Sequence, residues 1–71
     1  MDINKEKFVG KEVILFPNET FKKRAIIVDV NEIGWTFKIT WAQNDWNGKP
    51  CEKVGSIHFY NHTCKVHFEF V

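Results

Sequence analysis

Hydrophobic and polar positions alternate with a period of two along most of this chain, and no segment shows the 3.6-residue period of an amphipathic helix. The alternation is cleanest over 35–42. Trp35, Phe37, Ile39 and Trp41 fall on one face, with Thr36, Lys38 and Thr40 on the other. A strand that is apolar on one side only is half-buried in an antiparallel sheet. The same period predicts a strand over 12–16, entered after Gly10 and stopped by Pro17, and another over 24–30. In the latter, Ile26, Val28 and Val30 form one set and Ala25, Ile27 and Asp29 the other. Ile27 is apolar on the nominally outer side, which implies cover on both faces there. A fourth strand is expected over 53–60 with Ile57 and Phe59 inward. A fifth is expected over 64–70 with Val66, Phe68 and Phe70 inward and Lys65, His67 and Glu69 outward.

Turn chemistry separates these segments. Pro17-Asn18-Glu19-Thr20 and Asn61-His62-Thr63 carry the residue types that turns favour. Asn31-Glu32-Ile33-Gly34 is the clearest turn, and Gly34 is expected to supply a positive φ. Residues 43–50 form a polar loop interrupted by Trp46.

Five short strands without a helix to cover them must close on themselves or leave apolar faces in water. The expected fold is therefore all-β. It is a single small five-stranded antiparallel barrel over 8–71, closed or nearly so, preceded by a polar N-terminal arm over 1–7. An OB-like barrel and an open β-meander are the alternatives. The segments Val9-Gly10-Lys11-Glu12-Val13, Arg24-Ala25-Ile26-Ile27-Val28-Asp29-Val30 and Gly34-Trp35-Thr36-Phe37-Lys38-Ile39 resemble the SH3-like small barrels, in particular their Tudor-like and KOW-like branch. The resemblance spans residues 8–60. It departs at the C-terminal end, where a full extra hairpin strand stands in place of a short 3₁₀ turn and final strand.

Composition narrows the function. The chain has 71 residues, enough for one modest core, and eleven aromatic residues (three Trp, seven Phe, one Tyr) with which to build it. Burial of several such rings, at about 25 cal/mol per Å², offsets the ordering entropy of a short chain and excludes disorder. The net charge of +1 generates no global field, so any basic surface is local. Cys51 and Cys64 are too few for a disulfide scaffold. A polar, charged start and the lack of a long apolar run lead to an expectation of a soluble cytoplasmic protein with reduced thiols and no membrane partner.

Candidate chemistry is sparse. His58, His62, Cys64, His67 and Cys51 cluster in the C-terminal third, without the spacing of a zinc motif. Strand parity sends His67 away from His58 and Cys64. The expectation is no metal, no cofactor, no catalytic residue and no small-molecule substrate. The dispersed glycines serve turns and do not form a phosphate loop. Lys22, Lys23 and Arg24 form the densest basic run. Its plainer reading is a solvated loop, and its functional reading is a nucleic-acid contact extended by Lys38 and Lys49.

The aromatic set is more informative. Trp41 continues the inward stripe, so it is expected at the barrel mouth. Trp46 has no role that periodicity assigns, and is either a lid over the barrel end or a recognition residue. The Tudor-like resemblance implies a further use for Phe21, Trp41, Asp45 and Trp46: an aromatic cage with a nearby carboxylate, gripping a methylated basic side chain by cation–π attraction. The functional expectation is a non-enzymatic module that binds a protein partner through Phe21, Trp41, Asn44, Asp45 and Trp46. One version is a small inhibitor of a host protein of the sort phages and mobile elements encode, acting in the host cytoplasm. The alternative is a nucleic-acid-binding barrel using Lys22, Lys23 and Arg24.

Overall fold

The structure, a computed structural model, describes residues 5–71. After a 3₁₀ turn at Lys5–Lys7 come five strands: β1 (Glu12–Leu15), β2 (Lys23–Val30), β3 (Gly34–Ala42), β4 (Ile57–Asn61) and β5 (Phe68–Phe70). They form one antiparallel sheet in the order β4-β3-β2-β1-β5. The all-β expectation holds. Of the polar arm expected over 1–7, residues 1–4 lie outside the described residues. No helix among the described residues is long and apolar enough to cross a membrane.

The sheet is rolled but not closed. Among the described residues no ladder joins β4 to β5, so of the expected forms the open one holds. The roll shows in the rings. Phe37 of β3 meets Tyr60 of neighbouring β4 at 5.8 Å and Phe68 of β5 at 5.4 Å. In a flat sheet β5 would lie three strand spacings, about 14 Å, from β3. Curling the sheet around Phe37 lets side chains bridge a gap that the backbone does not.

The core is built from Val13, Leu15, Ala25, Ile27, Phe37 and Ile39, all at most 1% exposed. Phe8, Phe16, Trp35, Tyr60, Val66 and Phe68 pack around them. Trp35 alone meets Phe8, Phe68, His62 and Phe37.

Two bulges overturn the expected faces of β2 and β3. The β2–β3 register slips between Arg24 and Ala25 and again between Ile27 and Asp29. A bulge adds a residue to one strand and breaks strict alternation. In β2 the buried residues are Ala25, Ile27 and Val30, whereas Ile26 is half-buried and Val28 exposed. In β3 Arg24 pairs with Trp41 but Ala25 pairs with Ile39, which leaves Thr40 as the extra residue. Trp41 is thereby turned outward, 46% exposed, and Ala42 takes the inward place. The inward placement expected for Trp41 is therefore corrected.

The ends of the chain differ from expectation as well. β4 starts at Ile57, because 51–56 is a loop whose Gly55 N–H bonds back to the Ile39 carbonyl. Its faces are the reverse of those expected: His58 and Tyr60 turn inward, and Ile57 and Phe59 outward. Tyr60 wins the inner site by fitting its ring between Phe16 and Phe37. β5 is limited to Phe68–Phe70, with Phe68 inward as expected. Phe70 remains half-exposed, stacked on Phe8 at the rim.

Gly34 is needed for space and not for a positive φ, since that conformation is confined among the glycines to Gly10, Gly48 and Gly55. A Cβ at Gly34 would lie 2.1 Å from the Tyr60 carbonyl oxygen and 2.9 Å from Cζ of Phe59. The Asn31 side chain makes the turn, accepting from the N–H groups of Ile33 and Gly34.

Candidate functional site

The end of β1, the start of β2, the end of β3 and the start of β4 lie at one end of the sheet, where the 16–22 and 43–56 connections meet. Gln43 ties the two together. Its N–H donates to the Lys22 carbonyl at 2.8 Å, and its Oε1 accepts from the Lys22 N–H at 3.1 Å. Its carbonyl accepts from the Cys51 N–H at 2.8 Å, and the Cys51 thiol points to the same Lys22 carbonyl. The sequence gives no signal for this role, because a glutamine after a strand looks like any solvated loop residue.

Within the second loop, Asp45-Trp46-Asn47-Gly48 is a β-turn closed by the Gly48 N–H and the Asp45 carbonyl at 3.1 Å. Asp45 Oδ1 accepts from the N–H groups of Asn47 at 2.8 Å and Lys49 at 3.2 Å. The Asp45 N–H donates to the Lys49 carbonyl, and Asn44 bridges to Pro50. Asp45 thus fixes the turn that carries Trp46 at its tip. Trp46 is 85% exposed, and its ring has one aromatic neighbour, Phe21, at 5.0 Å edge-on. It does not close over the sheet.

Trp41 lies apart from that pair. Among the described residues no ring contact joins it to Phe21 or Trp46. It lies instead beside the Arg24 guanidinium, 6.0 Å from the ring centroid. Arg24 and Trp41 form a ridge between two hollows. One, about 250 Å³, is completed by Ile14, Pro17 and Lys22; the other, about 420 Å³, by Glu12 and Thr40. The cage implied by the Tudor-like resemblance is therefore divided. Phe21 and Trp46 stand together, Asp45 has one carboxylate oxygen engaged in its own turn, and Trp41 belongs to another surface. Ile14 and Pro17, which the sequence marks only as a strand residue and a turn residue, complete that surface.

The basic run also divides. The Lys22 ammonium donates to the Pro17 carbonyl at the groove. Lys23 points elsewhere, over the Phe16 ring at 5.5 Å and 4.0 Å from Glu52. Arg24 is 3.9 Å from Glu12. Lys38 is on the outer face between Ile26 and Ile57, and Lys49 is in the Asp45 turn. Only Lys22 and Arg24 of these five line the Trp41 groove.

The His and Cys residues are dispersed. His58 stands 3.7 Å from Glu52 and 3.1 Å from the Ser56 hydroxyl. His62 donates its Nε2–H to the Asn31 carbonyl at 2.7 Å. Cys64 is exposed beyond the Asn61 turn, and both thiols are free. Among the described residues no three His, Cys, Asp or Glu side chains converge as metal ligands. The pKa of the Tyr60 phenol is raised, first by burial and then by the carboxylates of Glu52 and Glu19.

Comparisons with protein-family models, with curated proteins and with solved structures each return no match.

Proposed function

We propose that this chain is a non-enzymatic binding module, an SH3-like rolled sheet that recognises a protein partner through its loop end. The observation that carries the reading is Trp46. An indole that is 85% exposed, on a turn fixed by Asp45, offers a large rigid contact area that needs little further ordering on binding. Phe21 supports it from one side. The neighbouring groove supplies a second anchor point, with an apolar floor of Ile14, Pro17 and Trp41 flanked by the cations of Lys22 and Arg24. Such a groove suits a partner segment that places an apolar side chain beside a carboxylate.

A net charge of only +1 and the divergence of Lys22, Lys23 and Arg24 favour protein over nucleic acid as the ligand. The test is capture from native lysate by wild type and Trp46→Ala, each with and without nuclease. The expected result is a protein that nuclease does not release and that the variant fails to retain. Nucleic acid retained equally by both, and lost in high salt, would contradict the reading.

A further inference from the structure

Asn47 is the one asparagine of the six in this chain that a glycine follows. Asparagine amides are thermolabile, because the backbone nitrogen of the next residue can attack the side-chain Cγ. A glycine in that next position has no side chain to crowd the attack and lets the backbone turn toward it. Here the pair stands in the turn that carries Trp46, and both residues are exposed.

The surroundings leave the attack room. Gly48 has φ +77°, and beyond its chain neighbours nothing lies within 4 Å of where a Cβ would stand, so solvent reaches that side of the residue. Among the described residues the Asn47 side-chain amide has no hydrogen-bond partner, and only its backbone N–H is engaged. Asn31 and Asn61 differ. The Oδ1 of Asn31 accepts from the N–H groups of Ile33 and Gly34, and that of Asn61 from the N–H of Thr63, so both side chains are held in place. The attack at Asn47 has to open the bond from the Gly48 N–H to the Asp45 carbonyl. At 3.1 Å that bond is longer than the 2.6 Å bond from the Asp45 N–H to the Lys49 carbonyl.

We propose that Asn47 is a modification site at which the folded protein deamidates, with water as the co-reactant, and that the product releases the turn holding Trp46. Hydroxide removes the Gly48 N–H proton. The nitrogen bonds to Asn47 Cγ, the Cγ–Nδ2 bond breaks, and ammonia leaves with a proton taken from water. Water then opens the cyclic imide at either carbonyl. Cleavage at Cγ leaves aspartate in a normal chain. Cleavage at the main-chain carbonyl leaves isoaspartate, with the chain running through Cγ. Neither step changes an oxidation state, and each product carries a negative charge that asparagine lacked.

Both products disturb the turn. They add a carboxylate to a loop already built around the carboxylate of Asp45, whose Oδ1 accepts from the N–H groups of Asn47 and Lys49. Isoaspartate also lengthens the main chain by one carbon before Gly48. The Gly48 and Lys49 N–H groups then move off the Asp45 carbonyl and carboxylate, and Trp46 loses its fixed position. The chemistry at Asn47 is independent of the partner-binding reading; only its consequence for recognition rests on that reading.

The test keeps the full chain, native and in denaturant, at mildly acidic and mildly alkaline pH. Peptide mass mapping reads each asparagine, with chromatography that separates aspartate from isoaspartate. In the native protein Asn47 is expected to convert ahead of the other five asparagines, faster at alkaline pH, and to both products. Asn47→Gln, whose longer side chain has to close a larger ring, is expected to stay unchanged at that position. The isoaspartate form is expected to lose the heteronuclear NOE of the Trp46 indole while the Phe37 and Ile39 amides keep theirs. Native protein with no conversion at Asn47 by the time the denatured chain has converted fully would overturn the proposal, as would earlier conversion of another asparagine. An isoaspartate form whose Trp46 indole stays rigid would overturn the release of the turn.

Discussion

Trp35, near the start of β3, and Trp46, in the loop after its end, show how differently this small protein uses one side chain. Trp35 touches Phe8, Phe37, His62 and Phe68, and so joins β3 to β5, to the turn after β4 and to the segment after the N-terminal 3₁₀ turn. Trp46 touches Phe21 and is otherwise in water. The inner rings substitute for a closed barrel, because β4 and β5 are held across the unbonded gap by packing on Phe37. The outer rings add nothing comparable to the sheet. A chain of this size has little apolar surface to spare, which is why the proposed recognition role falls on the large rings left outside.

The sharpest way to break this division is to remove an inner ring. Phe37→Ala deletes a fully buried side chain at the centre of the roll and is expected to destabilise by about 3–5 kcal/mol, enough to unfold a marginal domain. Circular dichroism and thermal unfolding check it, and a well-folded variant would contradict the assigned inner face. Gly34→Val is next. Its Cβ would overlap the Tyr60 carbonyl, which is backbone and cannot rotate aside, so a loss of at least about 2 kcal/mol is expected in denaturant unfolding.

Tyr60 sharpens the comparison through pH. Its folded-state pKa lies above the ordinary 10.0, so the folded state holds the proton longer than the unfolded one. The stability gained is complete below the unfolded pKa and is lost as pH rises through the folded one. Wild type is therefore expected to lose stability above about pH 10. Tyr60→Phe is expected to lack that part of the alkaline decline. The chain has one tyrosine, so its absorbance titration reads the group directly. A midpoint at or below the ordinary value would contradict burial of this ring. The smallest effect on stability is expected for Trp46→Ala, within about 0.5 kcal/mol by thermal unfolding.

The sequence made parts of this molecule legible and hid others for identifiable reasons. The inner stripe of β3 was readable as far as Ile39 because alternation is a direct consequence of the pleat. It failed at Trp41 because a bulge at Thr40 resets the parity, and bulges have no periodic signature. Hydropathy ranks Ile57 and Phe59 above His58 and Tyr60 for the inner face of β4. The interior instead selected Tyr60 by shape, between two rings contributed by distant strands. Gly34 was recognisable as special, but its close approach to Tyr60 depends on a pairing the local sequence does not contain. At the loop end, Trp46 stands out because periodicity gives it no place in the core, and the structure settles its exposure by leaving it 85% open to solvent. Ile14, Pro17 and Gln43 do not stand out, since their roles arise only when the two connections meet.

The most direct test of the central claim is a calorimetric titration of the captured protein partner with wild type and with Trp46→Ala. The expected result is a loss of at least about 2 kcal/mol in binding, roughly thirty-fold in Kd, in a variant whose thermal unfolding is unchanged. Unchanged affinity in the folded variant would remove Trp46 as the anchor, and loss of the fold would place its ring in the core.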